Sequence, residues 1–350
     1  MTEAAGWAAI DTTLQRIYGD AEPMHWGTLH KWALGGPDPL DGISAYPRTE
    51  PVPHWHFIGY GMSELYEKES DNADESGWGF EFTFRLARRP SETEPPVWAA
   101  NFLQNLARYV FQSGNWFEAG HTMKANGPIA AERPDSAIQA ITFVLDPELG
   151  EISTVHGKLQ FLQVVGLTLD EYEAARGWGS AQLVETLGPR MPLCVTDLDR
   201  DSLLSDPDIA AAVRAGTERD GPAGNMLLVA VADWTLDDCP GGAATLRFGA
   251  LPAPNIGREL AARLPRGGTL VVHSDNSAVR FVPGERFAVE PVDDEILEVS
   301  VPAAAADDLI GALRSQAGRY PVPSMPGLVI EIEPSVMRDG RGNETGEVVG

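Results

Sequence analysis

Basic side chains are scarce in this chain: 26 Lys and Arg stand against 51 Asp and Glu, a formal net charge of −25. A surface of that sign repels nucleic-acid phosphates and anionic lipid and speeds encounter with cationic partners. Cysteine is scarcer still. Cys194 and Cys239 are the two present, and neither belongs to a CxxC pair. A disulfide framework and a zinc ribbon are therefore excluded. No stretch approaches the roughly 18 uninterrupted apolar residues of a membrane-crossing helix. Residues 1–10 carry acid and lack a basic segment followed by an apolar one, so no signal peptide is visible and a cytoplasmic location is expected. There is no G-x-S-x-G nucleophile elbow and no G-x-x-x-x-G-K-[ST] phosphate loop.

What is present fits a globular protein: 43% apolar and 22% charged residues over a length of 350, enough for two cores. The 36 glycines and 27 prolines point to many turns and mixed α/β structure. Trp7, Ile10, Leu14 and Ile17 recur at helical spacing and predict an opening amphipathic helix. The Gly- and Pro-rich stretch 35–53 reads as an ordered loop, and 54–61 as a strand. In 80–86, Phe80, Phe82, Phe84 and Leu86 alternate with Glu81, Thr83 and Arg85, the period of a half-buried strand. Pro95-Pro96 opens a helix whose apolar side carries Trp98, Phe102, Leu106, Tyr109 and Val110, and Gly114 ends it.

Further strands are expected at 140–145, 159–167 and 193–198. Thr168 and Glu171 form a capping box for a short helix, and 180–187 makes another. A third helix begins at Asp206-Pro207 and is expected to stop at Gly216. Residues 226–232 form a continuous apolar run, as in a strand buried on both faces. The breaker-rich stretch Asp237 to Gly242 then marks a boundary. The organisation expected is an N-terminal lobe over 1–232, a linker over 233–243, a smaller α/β lobe over 244–334 and a flexible tail over 335–350. In the smaller lobe, strands are expected near 244–251, 269–282, 296–301 and 327–333, with a helix through Leu309 and Leu313.

Few residues suggest chemistry. His54 and His56 lie two apart in a strand and so face the same side, where both could bind one metal. No third or fourth ligand sits at usable spacing, so they are read as structural, and no metal or cofactor is expected. Cys194 falls in an expected strand, where a buried thiol is inert. A carboxylate pair could be proposed almost anywhere among 51 acids, so such a proposal has no specificity. Nothing in the residues demands an enzyme.

Three segments together resemble the suppressor-of-fused family: HWHFIGYGMSELY at 54–66, SGWGFEFTFRL at 76–86, and Trp98 followed by LARYVFQS at 106–113 with Asn115 and Phe117. Further similarity runs through LQFLQVVG at 159–166, Thr196-Asp197, and from Asp206-Pro207 to Asp220-Gly221. Order and spacing agree over about residues 20–232; beyond 244 the likeness is one of layout. The resemblance implies a mixed α/β fold of two lobes with a cleft between them. It also implies a non-enzymatic protein that binds a partner's short segment by strand addition. Animal members hold a transcription factor in the cytoplasm, and many bacterial members are thought to be immunity proteins against polymorphic toxins.

Carried over by position, the resemblance assigns binding roles to Tyr109, Phe117 and Asp220. His121 stands where animal members have Asp, so their peptide is not the expected ligand. A compact bacterial member acting on a cationic toxin domain is expected, with neither nucleic acid nor membrane as partner. Read without the resemblance, Tyr109 is a core aromatic, Phe117 a plug at a helix end and Asp220-Gly221 a turn pair. Two other functions remain open: a metal-dependent hydrolase built on the His54/His56 strand, and a small-molecule-sensing module.

Overall fold

The structure is a computed structural model that describes residues 4–221, 226–236, 243–274, 277–293, 295–338 and 344–350. The chain divides into two compact units, Met1–Arg219 and Asp220–Gly350, with mixed α/β architecture throughout.

The first unit is built on one mixed sheet. Helix α1 (Ala5–Tyr18) precedes strands β1 (Met24–Gly27), β2 (Gly42–Arg48), β3 (His54–Tyr60) and β4 (Glu75–Ala87). Helix α2 (Val97–Ser113) follows, then β5 (Thr122–Lys124), β6 (Ala140–Leu145), β7 (Glu151–Thr154) and β8 (Gly157–Leu167). Helices α3 (Leu169–Trp178), α4 (Ser180–Leu187) and α5 (Pro207–Asp220) close the unit. The strand order is β1-β2-β3-β4-β8-β6-β5, with β7 paired to β8. β4 and β8 run parallel and every other pair is antiparallel. Two of these strands need comment. β2 lies inside the stretch read as a loop: its Pro47 sits next to the end of the strand, where a missing N–H costs little. The strand expected at 193–198 is instead a single 3₁₀ turn, Pro192–Cys194, with Leu193 and Cys194 both at positive φ. Only Thr196 bridges to the sheet, at Leu86.

The alternation in β4 is real, but the strand is buried on both faces: every residue from Phe80 to Leu86 is buried. One face is apolar. Phe82, Phe84, Phe57 and Phe143 pack there beneath Leu103, Leu106 and Val110 of α2. The other face is covered by α1 through Ile10 and Leu14 against Ile58, Tyr60 and Phe161, and by α3–α5 against Val165 and Leu167. Between those two apolar areas lie Glu81, Thr83 and Arg85, sealed from water. Sequence periodicity reads polar residues as solvent-facing; here they bond to buried groups on other segments.

Glu81 shows what such burial demands. Its carboxylate accepts from the N–H groups of Gly61 (2.9 Å), Met62 (3.2 Å) and Ser63 (2.9 Å) and from the Ser63 hydroxyl (2.6 Å). It thereby folds the 61–65 loop back over the sheet. Burial nevertheless outweighs these donors and pushes Glu81 from 4.5 up to about 7. The folded state therefore holds a proton that the unfolded chain releases. The stability contributed is complete below the ordinary carboxyl value and is lost as pH rises through about 7. Burial also depresses His54 to about 4, which acts with the opposite sign below neutral pH. The clean measure is therefore a difference. The unfolding free energy of the wild type minus that of Glu81→Gln is expected to fall by about 2–3 kcal/mol between about pH 5 and about pH 8 in urea titrations. A flat difference would refute this account of Glu81.

Two local features depart from the sequence reading. Gly216 does not stop α5. It lies within the helix and is buried because a Cβ there would run into the Trp178 ring of α3. The glycine serves helix–helix approach, not termination. The continuous strand expected over 226–232 is two short ones, and they belong to the second unit.

That unit begins with β9 (Met226–Leu228) and β10 (Ala232–Leu236), followed by β11 (Ala244–Gly249), α6 (Ala253–Arg263), β12 (Leu270–His273) and β13 (Ala278–Gly284). It continues with β14 (Ala288–Pro291), β15 (Ile296–Pro302), α7 (Ala306–Ala312), β16 (Gly318–Pro321), β17 (Leu328–Glu333), β18 (Ser335–Arg338) and β19 (Glu344–Val349). Its sheets have the orders β10-β11-β17-β16 and β14-β15-β13-β12-β9. Their shared core holds Leu246, Phe248, Phe281, Val299 and Ile330 with Ile256, Leu260 and Leu309 of the helices. Because β9 pairs with β12 and β10 with β11, the division falls before these strands, not after residue 232. Residues 237–242 of the expected linker, and Cys239 with them, lie outside the described residues. The stretch read as a tail forms the antiparallel pair β18–β19. Helix α6 has no counterpart in the sequence reading, its pattern being masked by prolines at 252 and 254.

Candidate functional site

Helix α2 ends at Gly114, whose φ of 74° provides the left-handed C-cap. The chain then turns along the β5 end of the sheet. Gly120 N–H donates to Phe143 O (2.8 Å), and the His121 carbonyl accepts from Phe143 N–H (3.1 Å) and the Thr142 hydroxyl (3.0 Å). These bonds fix the backbone of 120–121 against β6.

An aromatic stack results. The Phe143 ring of β6 stacks on Phe117 at 4.3 Å and 21°, and Phe117 stacks on Tyr109 of α2 at 5.5 Å and 26°. Burial grades outward along it: Phe143 is 0% exposed, Phe117 8% and Tyr109 43%. Phe117 is thus core and Tyr109 is surface, a partition that helical periodicity alone does not make. His121 projects beside the stack with about half its side chain exposed. Its Nδ1 accepts from Glu118 N–H at 3.3 Å, and its Nε2 lies 3.9 Å from the Glu118 carboxylate. Trp116, passed over in the sequence, is 56% exposed, and its indole N–H donates to Glu118 (3.1 Å). Its signal was its place next to Phe117: in extended chain, neighbours face opposite ways.

Three of the four residues singled out by sequence, Tyr109, Phe117 and His121, therefore form one patch in the first unit. β5 lies beside it as the last strand of the sheet, with β6 on one side and no strand on the other among the described residues. Asp220 is the exposed last residue of α5 and belongs to the second unit.

His54 and His56 do share a face, and both are fully buried. Each ring is already engaged. His56 Nε2 meets Asp146 at 3.1 Å and its Nδ1 meets the Tyr18 hydroxyl at 2.6 Å. Burial, with the Arg85 charge, lowers the His56 pKa, so the ring is neutral, donating through Nε2 and accepting at Nδ1. His54 Nδ1 donates to Val52 O (2.7 Å), and its Nε2 accepts from Arg85 (3.2 Å). Arg85, with no exposed surface, also reaches Asp146 (3.0 Å), Glu148 (2.8 Å) and Gln163 (3.1 Å). Asp146 completes the network with the Thr83 hydroxyl (3.0 Å) and the N–H groups of Glu148 (2.9 Å) and Leu149 (3.0 Å). Among the described residues no group of three or more His, Cys, Asp or Glu could hold a metal ion. Cys194 lies close by, and burial pushes its thiol up to about 11, so no thiolate forms near neutral pH. No helix among the described residues is long and apolar enough to cross a membrane.

Fold and patch define a mixed α/β protein that presents an aromatic surface at the end of a sheet whose polar face is sealed. The chain belongs to the suppressor-of-fused family. The model of that family, suppressor of fused protein (SUFU), matches residues 36–201. The human suppressor of fused homolog is 36% identical over 233 residues, covering 62% of this chain and 48% of the human protein. The chain thus spans about half the length of the curated relatives it matches. The crystal structure of Drosophila suppressor of fused superposes with a TM-score of 0.76 at 22% identity, over 95% of this chain and 97% of that one. That likeness establishes the fold. A chain of the Sufu–Fu complex crystal structure is 32% identical with a TM-score of 0.57, over 60% of this chain and 98% of that chain.

Proposed function

We propose that this protein is a non-enzymatic binding protein that sequesters a cationic protein partner, and that the partner is a toxin domain against which it confers immunity. The carrying observation is the graded stack of Phe143, Phe117 and Tyr109. A rigid, half-exposed tyrosine backed by buried rings can anchor a partner at small entropic cost, as at the centre of tight interfaces. Beside it, the unpaired side of β5 offers backbone donors and acceptors to an extended segment, which gives affinity through the main chain. Asp220, the exposed last residue of α5, is proposed as a hydrogen-bond acceptor for a partner on the family resemblance alone. The charge of −25 favours a cationic partner by electrostatic complementarity. A family relative crystallised in complex with another protein, Fu, is in keeping with a binding role.

The test is a pull-down from cells that express the neighbouring genes, then calorimetry with the captured protein and a growth assay in which that protein is induced. The expected result is a basic partner that binds less tightly as salt rises and whose toxicity this chain relieves. A partner that binds without being toxic would leave sequestration standing and remove immunity; no partner at all would remove both.

A further inference from the structure

Away from the stack, the first unit has a concave surface lined by α1, residues 19–23 and strands β1, β2 and β3. It is an open groove of about 720 Å³. Tyr46 and Tyr60 form its floor, almost fully buried, and Trp7 and Tyr18 of α1 stand half-buried in its wall. The rings are fixed in pairs: Trp7 stacks on Tyr60 at 4.4 Å and Tyr18 on Tyr46 at 3.8 Å. Three carboxylates, Asp11, Asp20 and Glu22, complete the lining, and neither lysine nor arginine contributes to it.

The acids are not neutralised from within. Among the described residues none of the three forms an ion pair; Asp11 accepts from the Tyr60 hydroxyl at 3.1 Å. His25, the one titratable base in the lining, donates or accepts at Ser44 (2.9 Å), and burial lowers its pKa, which keeps it uncharged near neutral pH. Aromatic faces attract cations through their quadrupole, and carboxylates in a partly desolvated groove reinforce that attraction. Tyr18 is already engaged, stacked on Tyr46 with the Arg48 guanidinium 5.5 Å from its ring centroid, so Trp7 is the aromatic of this wall left for a ligand. An anion would meet three carboxylates, and no lysine or arginine lines the groove. A neutral apolar ligand would leave those carboxylates desolvated.

We infer that the groove lined by α1 and strands β1–β3 is a binding site for an organic ammonium cation, with Trp7 as the aromatic wall and Asp11, Asp20 and Glu22 as the counter-charge. The cation is either a free small molecule or an alkylated lysine side chain of a partner; the recognising chemistry is the same. The site is independent of the patch at Tyr109, so either can fail alone.

Choline is the first probe, and 3,3-dimethyl-1-butanol, its neutral isostere, is the control. Binding is read from the indole N–H resonance of Trp7, assigned by Trp7→Phe. Choline is expected to shift that resonance saturably, and the isostere is expected to leave it unmoved. Asp11→Asn is expected to weaken choline binding about tenfold. Asp20→Asn with Glu22→Gln should do so too, and because both residues are exposed this pair guards against a folding defect in the first variant. Tyr109→Ala should change nothing here. An acetylated peptide carrying trimethyllysine distinguishes the two sources: tighter binding than choline indicates a side chain, weaker binding a free cation. Absence of a saturable shift with both probes, or equal shifts with the neutral isostere, overturns the inference.

Discussion

Arg85→Met is expected to destabilise the first unit by about 3–5 kcal/mol near neutral pH, measured by urea or thermal unfolding. Arg85 and Asp146 both have no exposed side-chain surface and meet at 3.0 Å in the middle of the sheet's polar face. Removing the guanidinium leaves a carboxylate in the interior with its remaining donors but no cation. It also strands the side-chain oxygen of Gln163 and His54 Nε2. The cost therefore comes from uncompensated burial, not from the bare strength of one ion pair. A cycle separates the two. Adding Asp146→Asn to Arg85→Met should recover part of the loss, because the buried charge disappears with its partner. Acid should mimic the break. Although burial opposes it, hydrogen bonds from His56 and the backbone, with the Arg85 charge, hold Asp146 well below the carboxylate range. Its contribution is present above the unfolded value and is lost as pH falls through the folded one. If Arg85→Met unfolds within about 1 kcal/mol of the wild type, the network does not organise this face.

Tyr109→Ala is expected to cost about 2 kcal/mol or more of partner binding, roughly a thirtyfold rise in Kd by calorimetry, with stability changed by no more than about 1 kcal/mol. Its ring is 43% exposed and the stack beneath it does not depend on its presence. Phe117→Ala would also weaken binding, but Phe117 is 8% exposed between Phe143 and Tyr109, so its loss opens a cavity at a cost of about 3–5 kcal/mol. Tyr109 is therefore the decisive variant and Phe117 is not. Wild-type affinity in a folded Tyr109→Ala protein would place the working surface elsewhere.

Much of this was legible in the chain. Local signals state themselves in one dimension: the α1 periodicity, Pro96 and Gly114 around α2, and the Thr168/Glu171 capping box, which forms as read. The suppressor-of-fused motifs fixed the family, and with it the mixed α/β fold, because several long segments kept their order. The strands of the second unit at 244–249, 296–302 and 328–333 were visible as alternating or apolar runs.

Other features depend on what lies opposite a residue, and no window of sequence holds that information. The period of two in β4 could not say that its polar face is also covered, since the cover comes from α1, α3, α4 and α5. Gly216 looked like a helix end because a glycine's reason can be a ring 38 residues away, at Trp178. Tyr109 and Phe117 read alike as aromatics near a helix end, and only the stack on Phe143 made one a surface and the other a core residue. The unit boundary moved ahead of 226 because pairing of β9 with β12 outweighs the composition break that follows it. The sequence determined the elements, the family and the sign of the surface. The tertiary structure decided which side chains meet, because burial, hydrogen-bond partners and open edges are properties of distant segments brought together.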